Sequence, residues 1–99
     1  MEKITIDLNN PEFQHDLFKL QKIEQLAFVN TLKKISQLTW QQLYSDTGLK
    51  WEAITSKPTK NNIRLYSFRF SQKYRAVAYR ENKFLRIQSL HVDHDSAYN

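Results

Sequence analysis

Ninety-nine residues, 40% hydrophobic, 25% charged and 13% aromatic, suffice for one hydrophobic core and exclude a second domain and wholesale disorder. Without cysteine and with one glycine, Gly48, the chain has no disulfide framework, no thiolate zinc site and no thiol nucleophile. It also lacks the glycine-rich loops that cradle phosphates and the serine elbow. No apolar run exceeds four residues (Leu26 to Val29, Ala76 to Tyr79), which argues against a membrane-spanning helix and a signal peptide and makes the cytoplasm the expected location.

The net charge of +5 conceals an asymmetry. Residues 1–50 balance six lysines against six acids, whereas residues 51–90 carry four lysines and five arginines against only Glu52 and Glu81. All five arginines, from Arg64 to Arg86, fall within 23 residues. Such a window fits a surface that faces a polyanion, and equally a solvated sheet face. The basic residues expected to contact nucleic acid are Lys57, Lys60, Lys73, Arg80 and Arg86.

Lys3 to Asp7 alternates polar and apolar and predicts a short first strand. Asn9-Asn10-Pro11 predicts a helix start, an asparagine cap followed by proline where no N–H is needed. That helix is expected to reach about Leu20, with Phe13, Leu17 and Leu20 on one side. A second helical stretch spans roughly Lys22 to Leu38. Phe28, Leu32 and Ile35 share one face and Ile23, Leu26 and Ala27 point elsewhere, so this helix is either covered on two sides or broken near residue 27. Thr39 and Gln42 fit a capping box. The short helix it starts, Trp40 to about Asp46, is expected to end in a left-handed cap at Gly48. Lys50 to Ile54 reads as an edge strand and Thr55 to Asn62, with Pro58, as a loop.

From Ile63 the period becomes two. Tyr66, Phe68 and Phe70 alternate with Ser67 and Arg69; Tyr74 to Arg80 and Phe84 to His91 follow, separated by polar turns. The expected class is α+β: a short N-terminal strand, a helical hairpin plus a short helix, then an antiparallel sheet of three to four strands, in one domain over residues 1–99. A turn at Glu81 to Lys83 would set Arg80 opposite Phe84, Ala78 opposite Arg86 and Val77 opposite Ile87. Tyr79, Leu85, Val77 and Ile87 then share a face that continues into Arg75, Ser89, Lys73 and His91. Ala76, Ala78, Tyr74, Arg80, Arg86 and Gln88 make the other, an open, shallow basic surface. The Ser71-Gln72 turn leaves it undecided whether Arg69 and Arg75 share a face, because a one-residue slip inverts every side chain.

The last segment holds His91, Asp93, His94 and Asp95, followed by Tyr98. His91 and Asp93 would share a strand face that His94 does not, too few ligands for a zinc site. No metal and no cofactor is expected. Histidine near neutral pH suits general acid–base work. Hydrogen bonding of His94 and Asp95 to their neighbours is the structural alternative. If the chain turns helical after Asp93, His94 and Tyr98 lie on one face.

The order of elements, Tyr74-Arg75-Ala76-Val77 in the middle strand and the ending from His91 through Asp93, His94, Asp95, Ser96 and Ala97 to Tyr98 together resemble the RelE/ParE superfamily of bacterial type II toxins. The resemblance covers nearly the whole chain in architecture and about Leu65 to Tyr98 in residues. It implies a RelE-like fold, a cognate antitoxin and either metal-independent cleavage of messenger RNA on the ribosome or, in ParE-like members, non-catalytic poisoning of DNA gyrase. An inactive basic nucleic-acid-binding relative is a further alternative. By position, Arg75 would hold the scissile phosphate with Arg69 beside it. His94 would be the general acid or base, with His91 in reserve, and Tyr98 would stack on or orient a nucleotide. Ser67 departs from the pattern, since a further lysine is expected there. The antitoxin, a small acidic protein with an amphipathic helix, is expected to cover the basic sheet surface.

Overall fold

A computed structural model describes residues 2–55 and 63–92. The elements run β1 (Thr5–Asp7), α1 (Pro11–Lys19), α2 (Lys22–Ile35), α3 (Trp40–Ser45), β2 (Glu52–Ala53), β3 (Tyr66–Arg69), β4 (Arg75–Glu81) and β5 (Phe84–His91). The fold is α+β. One five-stranded mixed sheet, in the order β1-β5-β4-β3-β2, is antiparallel except for β1, which lies parallel to β5 with Ile6 beside Leu85.

Local chemistry sets the helix starts. The Asn10 side chain accepts the Phe13 N–H at 3.1 Å, with Pro11 opening α1. Both bonds of the Thr39–Gln42 capping box form. The end of α3 differs from expectation. Gly48 has no positive φ; the left-handed residue is Lys50, at φ 50°. Asp46 does the work there, accepting the Leu49 N–H at 2.9 Å and pairing with Lys34 at 3.1 Å. Burial alone would raise the Asp46 carboxyl, but the Leu49 hydrogen bond and the Lys34 ammonium outweigh it and hold it below the usual carboxylate value. A depressed carboxyl stabilises the fold above its unfolded pKa, and that contribution disappears as pH falls through the folded value. Wild type is therefore expected to lose more stability than Asp46→Asn between neutrality and about pH 3, measured by denaturant midpoints at each pH.

α2 is unbroken, and it is not covered on two sides. Phe28, Leu32 and Ile35 enter the core, while Ile23, Leu26 and Val29 are exposed at 69%, 60% and 54%, with Phe18 of α1 at 75%. The core lies between the helices and one sheet face. There Phe28 packs on Phe13 and, edge-on, on Phe70, above Phe68, Ala76, Ala78, Leu85 and Ile87. Val77 and Ile54 are buried on the opposite sheet face with Leu65 against them, so β4 is covered on both sides.

The β4–β5 register corrects the expected one. Asn82 and Lys83 form the turn, with Asn82 at φ 56°, and Glu81 pairs with Phe84, Tyr79 with Arg86 and Ala78 with Ile87. An irregularity at Val77/Ala78 then leaves Gln88 over, so Val77 meets Ser89 and Arg75 meets His91. Ala76 and Ala78 are wholly buried beneath the helices rather than floors of an open basic surface. Arg80 and Arg86 are on opposite faces.

Candidate functional site

Three strands bring Arg69, Arg75 and His91 into one cross-strand row, because Arg69 pairs with Arg75 and Arg75 with His91. Pairing partners project to the same face, so the question left open at the Ser71-Gln72 turn is resolved: the two arginines share a face. The three side chains differ in what they do there.

Arg75 is only 5% exposed. Its Nε and one terminal nitrogen donate to Ser67 Oγ at 3.2 and 2.9 Å, the same nitrogen donates to the Lys50 carbonyl at 2.8 Å, and Glu52 stands 3.8 Å away. The guanidinium thus ties β3 to the left-handed turn that enters β2. Ser67, where a lysine was expected, is itself wholly buried and receives this arginine. Arg69 is half-buried, and no ion pair between described residues involves it.

His91 is half-buried, with Nε2 at 2.8 Å from Ser89 Oγ. It lines a cleft of about 720 Å³ between the α1–α2 junction, the β3–β4 turn and the end of β5. Lys73, Tyr74 and Lys19 share that cleft with Asp16 and Glu24, so its charge is mixed. Asp16 is partly committed, accepting the Leu90 N–H at 3.0 Å and thereby fixing the strand that carries His91. Ser71 Oγ is buried there without a hydrogen-bond partner among the described residues. An imidazole, a phenol and two ammonium groups around one opening can move a proton and hold an anion. Sequence reasoning found His91 and Lys73; it missed Tyr74, Asp16 and Lys19, which only the docking of α1 on β5 brings in.

Of the other expected contacts, Arg80 lies at the far end of β4, its guanidinium 4.5 Å from the Trp40 ring centroid and bonded to the Tyr44 hydroxyl at 2.8 Å. Arg86 is paired with both Asp7 and Glu81, and the Glu81 hydrogen bond raises its guanidinium further above the ordinary value. Lys57, Lys60, His94 and Tyr98 lie outside the described residues. Among the described residues there is no cluster of three or more histidine or acidic side chains able to hold a metal ion, and no helix is long and apolar enough to cross a membrane.

No protein-family model and no curated protein matches the chain. Among solved structures, it is similar to a copper-bound mutant toxin from Helicobacter pylori, at 18% identity and a TM-score of 0.48 over 97% of this chain and 98% of that one.

Proposed function

We propose that this protein is the toxin of a bacterial type II toxin–antitoxin system, a RelE-like, metal-independent endoribonuclease that cleaves messenger RNA on the ribosome. The sequence resemblance supplies the class. The observation that carries the reading is the place of His91, which stands at once in the row with Arg69 and in the cleft with Lys73 and Tyr74.

In such cleavage the 2′-hydroxyl attacks the adjacent phosphorus and the 5′-oxygen leaves. A base takes the 2′ proton, an acid protonates the leaving oxygen, and cations hold the charge of the phosphorane. His91 would make one proton transfer and Lys73 and Arg69 would hold the charge, each removal of such a donor costing about 2.7–4 kcal/mol. Proton transfer by a positioned imidazole contributes about 10²–10⁴-fold. His94 and Tyr98, assigned by the resemblance, would complete the set.

One observation favours a second reading. The arginine that the resemblance gives to the scissile phosphate, Arg75, has its hydrogen bonds turned inward. A ParE-like toxin that acts on DNA gyrase without cleaving RNA needs no such phosphate contact. The antitoxin has an apolar landing surface in either case, the exposed Phe18, Ile23, Leu26 and Val29, bordered by the exposed Lys19, Lys22 and Lys33. This suits an acidic amphipathic helix better than the expected sheet face does, where the alanines are buried.

Induction in bacteria with mapping of transcript 5′ ends separates the readings. New 5′ ends within coding sequences are expected. Growth arrest with intact transcripts and damaged DNA would transfer the proposal to the gyrase reading, and no growth effect would sink both.

A further inference from the structure

A second cleft opens at the other end of β4, about 17 Å along the strand from Arg75 at the usual rise per residue. Its volume is about 270 Å³, and Tyr44, Tyr66, Tyr79, Ile63, Arg64, Arg80 and Glu81 line it. Three features make it more than a basic dent. Its aromatic wall is rigid: Tyr66 stacks on Trp51 with centroids 4.7 Å apart and planes 14° from parallel, and Trp51 packs edge-on against Trp40. The Arg80 guanidinium is fixed, its carbon 4.5 Å from the Trp40 ring centroid and its nitrogens donating to the Asn82 carbonyl at 3.0 Å and the Tyr44 hydroxyl at 2.8 Å. The charge available to a ligand is positive. Arg64 is exposed and takes part in no ion pair between described residues, whereas the acid in the lining, Glu81, is already bound to Arg86 at 2.6 Å.

We infer that this cleft binds an unstacked base of single-stranded nucleic acid, the base lying against Tyr44 and the Arg80 guanidinium and the adjoining phosphate meeting Arg64. Unpaired bases are gripped in this way, on phenol rings and guanidinium planes, and stacking tolerates any base because every base has a π face. Tyr44, 52% exposed, offers its ring at the opening, while its hydroxyl keeps Arg80 in place. The inference rests on the RNA-directed reading for its biological ligand and extends it, giving the strand a holding point remote from His91.

The chain's only two tryptophans, Trp40 and Trp51, adjoin this cleft and report on it. The experiment titrates the protein with a 2′-O-methyl hexanucleotide, which cannot be cleaved through its 2′ position, and follows tryptophan fluorescence at low salt. Saturable quenching is expected, weakened about tenfold or more by Tyr44→Ala and by Arg64→Ala and weakened less by Tyr44→Phe, which keeps the ring but loses the hydroxyl that holds Arg80. Both positions are exposed, and circular dichroism confirms that the variants fold. No quenching, equal affinity for the same sequence as a duplex, or unchanged affinity in both alanine variants would overturn the site, the last two by showing undirected charge attraction or a surface meant for a protein. A chain that binds the hexamer yet never cleaves RNA sinks the nuclease reading and keeps the site. Cleavage of RNA with affinity and quench untouched by both alanine variants does the reverse.

Discussion

Arg75→Ala is expected to lower the thermal midpoint by roughly 12 °C or more, a structural loss before it is a functional one. The guanidinium is buried with Ser67, Lys50 and Glu52 as partners. Removing it takes away the hydrogen bonds it donates to the wholly buried Ser67 hydroxyl and to the Lys50 carbonyl, and the cation 3.8 Å from Glu52. Hydrogen bonds donated by a charged group are worth about 1.5–3 kcal/mol each, so losing those to Ser67 and Lys50 costs about 3 kcal/mol or more, and in a domain of this size about 1 kcal/mol moves the midpoint by about 4–8 °C. Part of that cost arises because the left-handed Lys50 is held in position by the same bond. Arg75→Lys should fall between, since a point charge cannot reach two acceptors as the guanidinium fork does. The measurement that decides is cleavage per folded molecule, taken below the midpoint of each variant. If Arg75→Lys melts with wild type yet loses cleavage, the residue contacts phosphate as the resemblance implies. If cleavage follows the folded fraction, Arg75 is a strut.

What the sequence could and could not reveal follows from the range of each interaction. The two helix starts were legible because each is decided within four residues, by Asn10 with Pro11 and by Thr39 with Gln42. The parallel pairing of β1 with β5 was not, since Ile6 meets Leu85 only after the whole chain has returned. The exposed Ile23 and Leu26 misled because an apolar side chain reads as core unless something is known of what covers it. The hairpin shows how one error can conceal another. Placing the turn at three residues instead of Asn82-Lys83 shifted the register by one and put Val77 on a face with Ile87, although Ala78 is the true partner. The extra residue at Gln88 shifts it once more in the same sense, and two shifts of one restore the parity of a strand. So Arg75, Ser89 and His91 do share a face and the alanines lie on the other, as expected, whereas Leu85, Ile87 and Arg86 were assigned to the wrong faces. The inward turn of Arg75 had no signal in the local pattern, because its acceptors at Ser67 and Lys50 lie 8 and 25 residues away.

His91→Ala is expected to reduce RNA cleavage by about 10²-fold or more, equivalent to about 2.7 kcal/mol in the barrier, with little change in thermal midpoint. The ring is half-buried at the strand's end, outside the hydrophobic core, so its removal opens no core cavity. The cleft supplies the other half of the argument. Lys73 and Lys19 line the same cleft as the imidazole and would hold a phosphate there, and the Asp16 bond to Leu90 fixes the end of β5. A proton-transfer role differs from a positioning role in the pH–rate profile: the limb due to imidazole must vanish in His91→Ala, whereas a merely structural histidine would lower the whole profile without changing its shape. Ser89→Ala, which removes the hydroxyl 2.8 Å from Nε2, should move that limb while leaving the plateau near the wild-type value. His94→Ala is the companion measurement, because the resemblance gives the acid or base to that residue. If His94→Ala removes the limb and His91→Ala leaves it, the proton transfer belongs to the tail, and His91 only shapes the cleft.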